Sequence, residues 1–161
     1  MITIETNHGD IVIELFEEEA PLSSANFSQY AEEGFFNDTV FHRVIPNFMI
    51  QGGGMTENLS SKSTRPPIRN EAANGLKNVR GTLAMARTSQ VDSATSQFFI
   101  NLRDNRFLDH GGRDYGYAVF GKVSEGMDVV DAIAQVETGH RAGHDDVPLE
   151  AVVIRKVRID S

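Results

Sequence analysis

Arg43 and Gln51 are the polar side chains best placed to do chemistry, because they sit in a short apolar hairpin, Phe41-His42-Arg43-Val44-Ile45-Pro46-Asn47-Phe48-Met49-Ile50-Gln51. Residues 40–45 are β-branched and aromatic, Pro46-Asn47 supplies turn chemistry, and residues 48–51 are extended again. Strand alternation puts Arg43 on the face of Phe41 and Ile45, and Met49 on that of Gln51. His42 is then a structural histidine that faces away from Arg43. A guanidinium presents several fixed donors and keeps its proton, so among large apolar neighbours it either snorkels to water or is aimed at a ligand. The residues alone leave both readings open.

Other chemistries are poorly served. Gly52-Gly53-Gly54 is followed by no Gly-Lys-Ser/Thr and opens no helix, so it reads as strand-end glycines that permit close backbone approach, not as a phosphate loop. The serines lack a nucleophile elbow, and the acidic run Glu17-Glu18-Glu19 is a solvated turn. His140 and His144, beside Asp145 and Asp146, have metal-ligand spacing only on a helix, and Gly139, Gly143 and Pro148 argue for a loop, so no metal is expected. Cysteine is absent, which excludes thiol catalysis and disulfides.

The elements that must position Arg43 read mainly as strands. Ile2-Thr3-Ile4-Glu5 and Ile11-Val12-Ile13-Glu14-Leu15-Phe16 alternate around the turn Asn7-His8-Gly9-Asp10. A helix over residues 21–33 is predicted, with Leu22, Ala25, Phe27, Tyr30 and Ala31 near one side. Residues 55–78 form a long polar loop of the kind that often carries function. Strands follow at 82–87, 97–102, 117–123 and 150–159, with loops at 88–96 and 104–116, the second carrying the Gly111-Gly112 pair. Residues 126–134 form a short amphipathic helix. Eight strands and two helices without βαβ alternation predict a mainly β fold: a closed eight-stranded antiparallel barrel capped by two α-helices, one domain over residues 1–161.

The 161 residues carry a formal charge of -8, which argues against nucleic acid as a partner. No apolar run approaches a membrane span, and the alternating N-terminus does not read as a signal peptide, so a cytoplasmic location is expected.

Four separated motifs in order resemble the cyclophilin family of peptidyl-prolyl cis/trans isomerases, bacterial cytoplasmic type: residues 41–53, Gly81-Thr82-Leu83-Ala84-Met85-Ala86-Arg87, Ser96-Gln97-Phe98-Phe99-Ile100 and Val119-Phe120-Gly121-Lys122-Val123. The resemblance implies X-Pro isomerisation that assists protein folding, without a cofactor. It makes Arg43 the catalytic cation, Gln51 its polar partner, and Phe48, Met49 and Phe99 the walls of a proline pocket. Ala86, the Arg87 backbone and Gln97 would hold the substrate chain, reaching the hairpin across the barrel, and Phe107, Leu108 and Tyr117 would line the far side. Phe98 and Phe120 stay in the core. The implied partners are proline-containing peptides and folded or unfolded client proteins, bound by a monomer. Phe107 and Tyr117 stand where the best-known eukaryotic members have Trp and His, so the indole donor is missing and cyclosporin binding is expected to be weak. A binding module of the same fold, with incidental catalysis, and a metal-dependent hydrolase built on His140 and His144 are the competing readings.

Overall fold

The computed structural model describes residues 1–111 and 114–160; Gly112 of the Gly111-Gly112 pair lies outside them. Eight strands close an antiparallel barrel: β1 (Ile2–Thr6), β2 (Gly9–Leu15), β3 (Thr39–Ile45), β4 (Met49–Thr56), β5 (Thr82–Met85), β6 (Phe98–Asn101), β7 (Val119–Glu125) and β10 (Val153–Ile159). Around the barrel the order is β1-β10-β3-β4-β6-β5-β7-β2. The alternation read in residues 2–5 and 11–16 has its physical cause here, since Ile2, Ile4, Ile11 and Ile13 point into the interior with Ile50, Leu83, Phe98, Ile100 and Ile154. Closure leaves these strands without an exposed edge.

Helix α1 (Pro21–Glu32) and helix α2 (Met127–Ala134) both feed this core. Phe27 of α1 meets the Phe98 ring edge-on at 5.3 Å and the Phe120 ring at 5.5 Å, and α2 adds Val130 and Ile133. Each such ring or branched side chain contributes roughly 1.5–3 kcal/mol on full burial. The apolar stripe expected on α1 is only half right: Leu22 and Ala25 are exposed, whereas Ser23 and Ser24 are buried. The reason lies in a remote carboxylate. Glu71 accepts the Leu22 N–H at 3.1 Å and the Ser23 N–H and hydroxyl at 2.7 and 2.8 Å. It thereby caps a helix whose own Ala20 cannot, and turns the serine face inward.

Residues 139–148 are not a loop. They form a two-stranded hairpin, β8 (Thr138–Arg141) and β9 (His144–Pro148), turning at Ala142 and Gly143. Pro148 is tolerated because it pairs at the strand end, opposite Thr138. The hairpin packs on β3, where Val147 joins Val40 in a small apolar cluster.

Candidate active site

The feature that organises the site is a bulge in β3. Phe41 pairs with Gly52 and Arg43 with Gln51, so His42 is one extra residue in the strand. Strict alternation therefore fails: Phe41 and Val44 both point into the core, while His42 and Arg43 lie between them on the outer side. Arg43 shares a face with Ile45 but not with Phe41, and it does not oppose His42. His42 is covered by the β8–β9 hairpin, its ring 6.5 Å from that of His144. Burial first, then the charges of His144 and Arg43, lower its pKa from 6.5 to about 4. Arg43 itself is exposed.

The strand register then carries one row of residues across the outer wall. Arg43 lies opposite Gln51, Gln51 opposite Phe99, Phe99 opposite Ala84, and Ala84 opposite Val119. Phe99 thus comes from the adjacent strand β6 and Ala86 from the end of β5, on the same outer face, not from across the barrel. The apolar members of this row join Met49 and Leu108 in a second cluster separate from the barrel core, with Phe48, Ala86 and Tyr117 at its margin. Between the row and the segment around Phe107 and Leu108 lies a pocket of about 290 Å³ bordered by Arg43, Phe48, Met49, Gln51, Phe99 and Tyr117. Ala86, Arg87, Phe107 and Leu108 complete its wall. An open depression of about 750 Å³ near Asp38, Thr56 and Arg141 is larger, but it has no aromatic wall.

Gln97 is the one expected site residue that does not border the pocket; it acts from behind. Arg43 Nη1 donates to Gln51 Oε1 at 3.3 Å, and Gln51 Nε2 donates to Gln97 Oε1 at 2.9 Å. Gln97 lies flat on Gly54, where a Cβ would stand 2.5 Å from its Cγ. Close approach at Gly52 is equally tight, with the Val40 carbonyl 2.7 Å from such a Cβ, so these glycines do permit close packing.

Arg87 contributes in two ways. Its guanidinium is nearly buried, lies over the Tyr117 ring at 4.5 Å, donates to the Gly116 and Thr88 carbonyls at 3.2 and 2.9 Å, and pairs with Asp114 at 3.1 Å. Tyr117 in turn meets Phe99 edge-on at 5.8 Å. The Arg87 backbone N–H and C=O make no backbone hydrogen bond among the described residues, because the β5–β6 ladder ends with Ala86 N–H donating to the Gln97 carbonyl.

The sequence reading missed the amides beneath the pocket. Asn101 donates to Asn78 Oδ1 at 3.1 Å and to Thr82 Oγ1 at 3.0 Å, and accepts Asn105 Nδ2 at 2.8 Å. Asn105 also donates to the Phe48 carbonyl at 2.9 Å, and Asn78 to the Leu108 and Tyr117 carbonyls at 3.2 and 3.3 Å. Three pocket walls hang on this one network. An amide between Ile100 and Leu102 in an apolar strand was the available signal.

Among the described residues no three His, Cys, Asp or Glu side chains converge as a metal-ligand set, and His140 is bonded to Asp145 at 2.8 Å. No helix is long and apolar enough to cross a membrane.

A closed antiparallel barrel with an apolar pocket on its outer wall, bordered by the guanidinium groups of Arg43 and Arg87 and by a backbone segment without backbone partners among the described residues, has the shape and chemistry to take a short extended peptide. The family model for cyclophilin-type peptidyl-prolyl cis-trans isomerases matches residues 1–159, and the chain belongs to that family. A peptidyl-prolyl cis-trans isomerase of Acinetobacter baylyi is 58% identical over 100% of this chain and 86% of its own length. Peptidyl-prolyl cis-trans isomerase B of Escherichia coli is 56% identical over 99% of both chains. A solved cyclophilin-type isomerase of Cryptosporidium parvum, obtained in the presence of the dipeptide Ala-Pro, superposes with a TM-score of 0.83 at 26% identity, covering 99% of this chain and 98% of its own. The protein is therefore an enzyme, a peptidyl-prolyl cis-trans isomerase.

Proposed function

We propose that Arg43 stabilises the twisted amide of an X-Pro bond whose proline ring sits in the pocket walled by Phe48, Met49 and Phe99. The observation that carries this reading is the cross-strand row, which sets a guanidinium beside an apolar pocket with only an amide oxygen as its partner. No carboxylate pairs with Arg43 among the described residues, so its remaining N–H groups keep their donor strength.

Rotation about a peptide bond meets a barrier of roughly 18–20 kcal/mol because the nitrogen lone pair is conjugated with the carbonyl. In the twisted transition state that conjugation is lost, and the prolyl nitrogen gains a lone pair able to accept a hydrogen bond. A donor aimed there binds the transition state and not the planar ground state. A charge-assisted hydrogen bond contributes about 1.5–3 kcal/mol, or ten- to a hundredfold in rate. The rest comes from holding the ring while the preceding residue turns, and from a pocket poor in water. Gln51, tied to Gln97, orients Arg43. The free backbone of Arg87 gives the residues before the proline a strand-like partner. Phe107, Leu108 and Tyr117 close the far side, and Phe107, lacking an indole N–H, makes cyclosporin a weak ligand.

In the cell this chemistry serves folded and unfolded clients through a single monomeric domain, and it assists folding where X-Pro isomerisation limits the rate. Exchange NMR on a short Ala-Pro peptide tests the activity: the protein is expected to broaden and exchange the cis and trans signals. A rate equal to that of the free peptide would refute the reading.

A further inference from the structure

We propose that the open cleft beyond Phe107 is a second substrate subsite that reads an acidic side chain about two residues after the proline. It rests on the isomerase reading above and adds a sequence preference to it. The cleft, about 670 Å³, is lined by Arg103, Arg106 and Asn47 and by the same two rings, Phe48 and Phe107, that border the proline pocket. These rings stack at 5.6 Å and 29°, so the two cavities share one aromatic wall. A peptide leaving the pocket on this side spans about 3.3 Å per residue and reaches the cleft within two residues. The residues before the proline run the other way, toward the unpaired backbone of Arg87.

Charge and rigidity point to the same occupant. Arg103 and Arg106 hold no carboxylate among the described residues, in contrast to Arg65, Arg80, Arg87 and Arg158. The cleft's own acid, Asp104, accepts the Arg80 backbone N–H at 3.0 Å and keeps its charge, but two guanidinium groups against one carboxylate leave the lining net positive on a chain of charge -8. The floor is fixed: the Phe48 carbonyl accepts both Leu102 N–H and Asn105 Nδ2 at 2.9 Å. Phe107 is 70% exposed, an uncovered ring that the aliphatic stem of a bound Glu would cover.

The test compares peptides identical except for Glu, Gln or Lys at the second position after proline, with the wild type and the Arg103→Gln/Arg106→Gln double variant. Two exposed ion pairs give Glu an advantage over Gln of about three- to tenfold in kcat/KM at low salt, with Lys below Gln. The ratio falls toward unity in the double variant and in concentrated salt. Equal turnover of Glu and Gln by the wild type, a preference retained in the double variant, or a preference seen only when Glu precedes the proline would overturn the proposal. Turnover of the Gln peptide by the wild type reads the isomerase activity separately, so loss of the preference and loss of the activity are distinguishable.

Discussion

Replacing Asn101 by Ala should loosen the substrate pocket without touching any residue that borders it. The Asn101 side chain is fully buried and makes three hydrogen bonds, to Asn78, Thr82 and Asn105. Thr82 keeps its bond to the Val79 carbonyl, and Asn105 keeps its bond to the Phe48 carbonyl, but Asn78 Oδ1 loses its partner inside the protein. At about 1 kcal/mol for each of the three lost bonds, with a further penalty of about 1 kcal/mol or more for the orphaned oxygen, the variant loses about 4 kcal/mol or more. For a chain of this length that lowers Tm by about 10 °C. Because Asn78 and Asn105 hold the Leu108, Tyr117 and Phe48 carbonyls, peptide affinity should fall as well. Urea unfolding and peptide titration of the two proteins measure both effects. A loss below about 1 kcal/mol, or a destabilised variant with unchanged peptide affinity, would refute the claim that this network supports the pocket walls.

The pH dependence of stability should carry the signature of His42. Its pKa of about 4 in the fold lies below the value of 6.5 for the exposed side chain, so the stabilisation is complete above 6.5 and is lost as pH falls through 4. The loss amounts to roughly 3 kcal/mol, and equal pH slopes for wild type and His42→Phe would contradict it. Gly54→Ala should push Gln97 off Gln51 and lower kcat/KM about fivefold, as one neutral hydrogen bond is lost, with about 1–3 kcal/mol of stability lost to overpacking; undiminished activity in the folded variant would exclude Gln97 from positioning. Arg87→Ala should free the Tyr117 ring while Asn70 Nδ2 still holds the Gly116 carbonyl, raising the peptide Kd by about tenfold and changing the Tyr117 ring resonances. Unshifted Tyr117 resonances would show that the guanidinium does not hold that wall.

The barrel was legible because alternation in β1 and β2 is enforced by one buried face, whereas Arg43, Gln51 and Phe99 were named by the resemblance, and the single row that joins them exists only once β3, β4 and β6 pair. What stayed hidden is long-range or one residue wide. The extra residue at His42 leaves no mark in a segment made wholly of strand formers, yet it decides which way Phe41 points. The inward turn of Ser23 depends on Glu71, a loop residue that no local pattern in α1 announces. Gly139, Gly143 and Pro148 are breakers in isolation, and they became a hairpin because β3 offered Val40 and His42 as a surface to cover. Of the amide network only Asn101, a polar residue in an apolar strand, left a local mark; its bond to Asn78 and the bonds from Asn78 and Asn105 to the pocket walls join residues distant in sequence.

The central claim is that Arg43 acts on the transition state and not on the bound ground state. Exchange NMR on an Ala-Pro peptide reports affinity and the rate of isomerisation on the protein in one experiment, for wild type and for Arg43→Ala. The expected result is a folded variant that binds the peptide within about threefold of wild type and isomerises it about ten- to a hundredfold more slowly. A near-wild-type rate, or a loss confined to affinity, would contradict the assignment of Arg43.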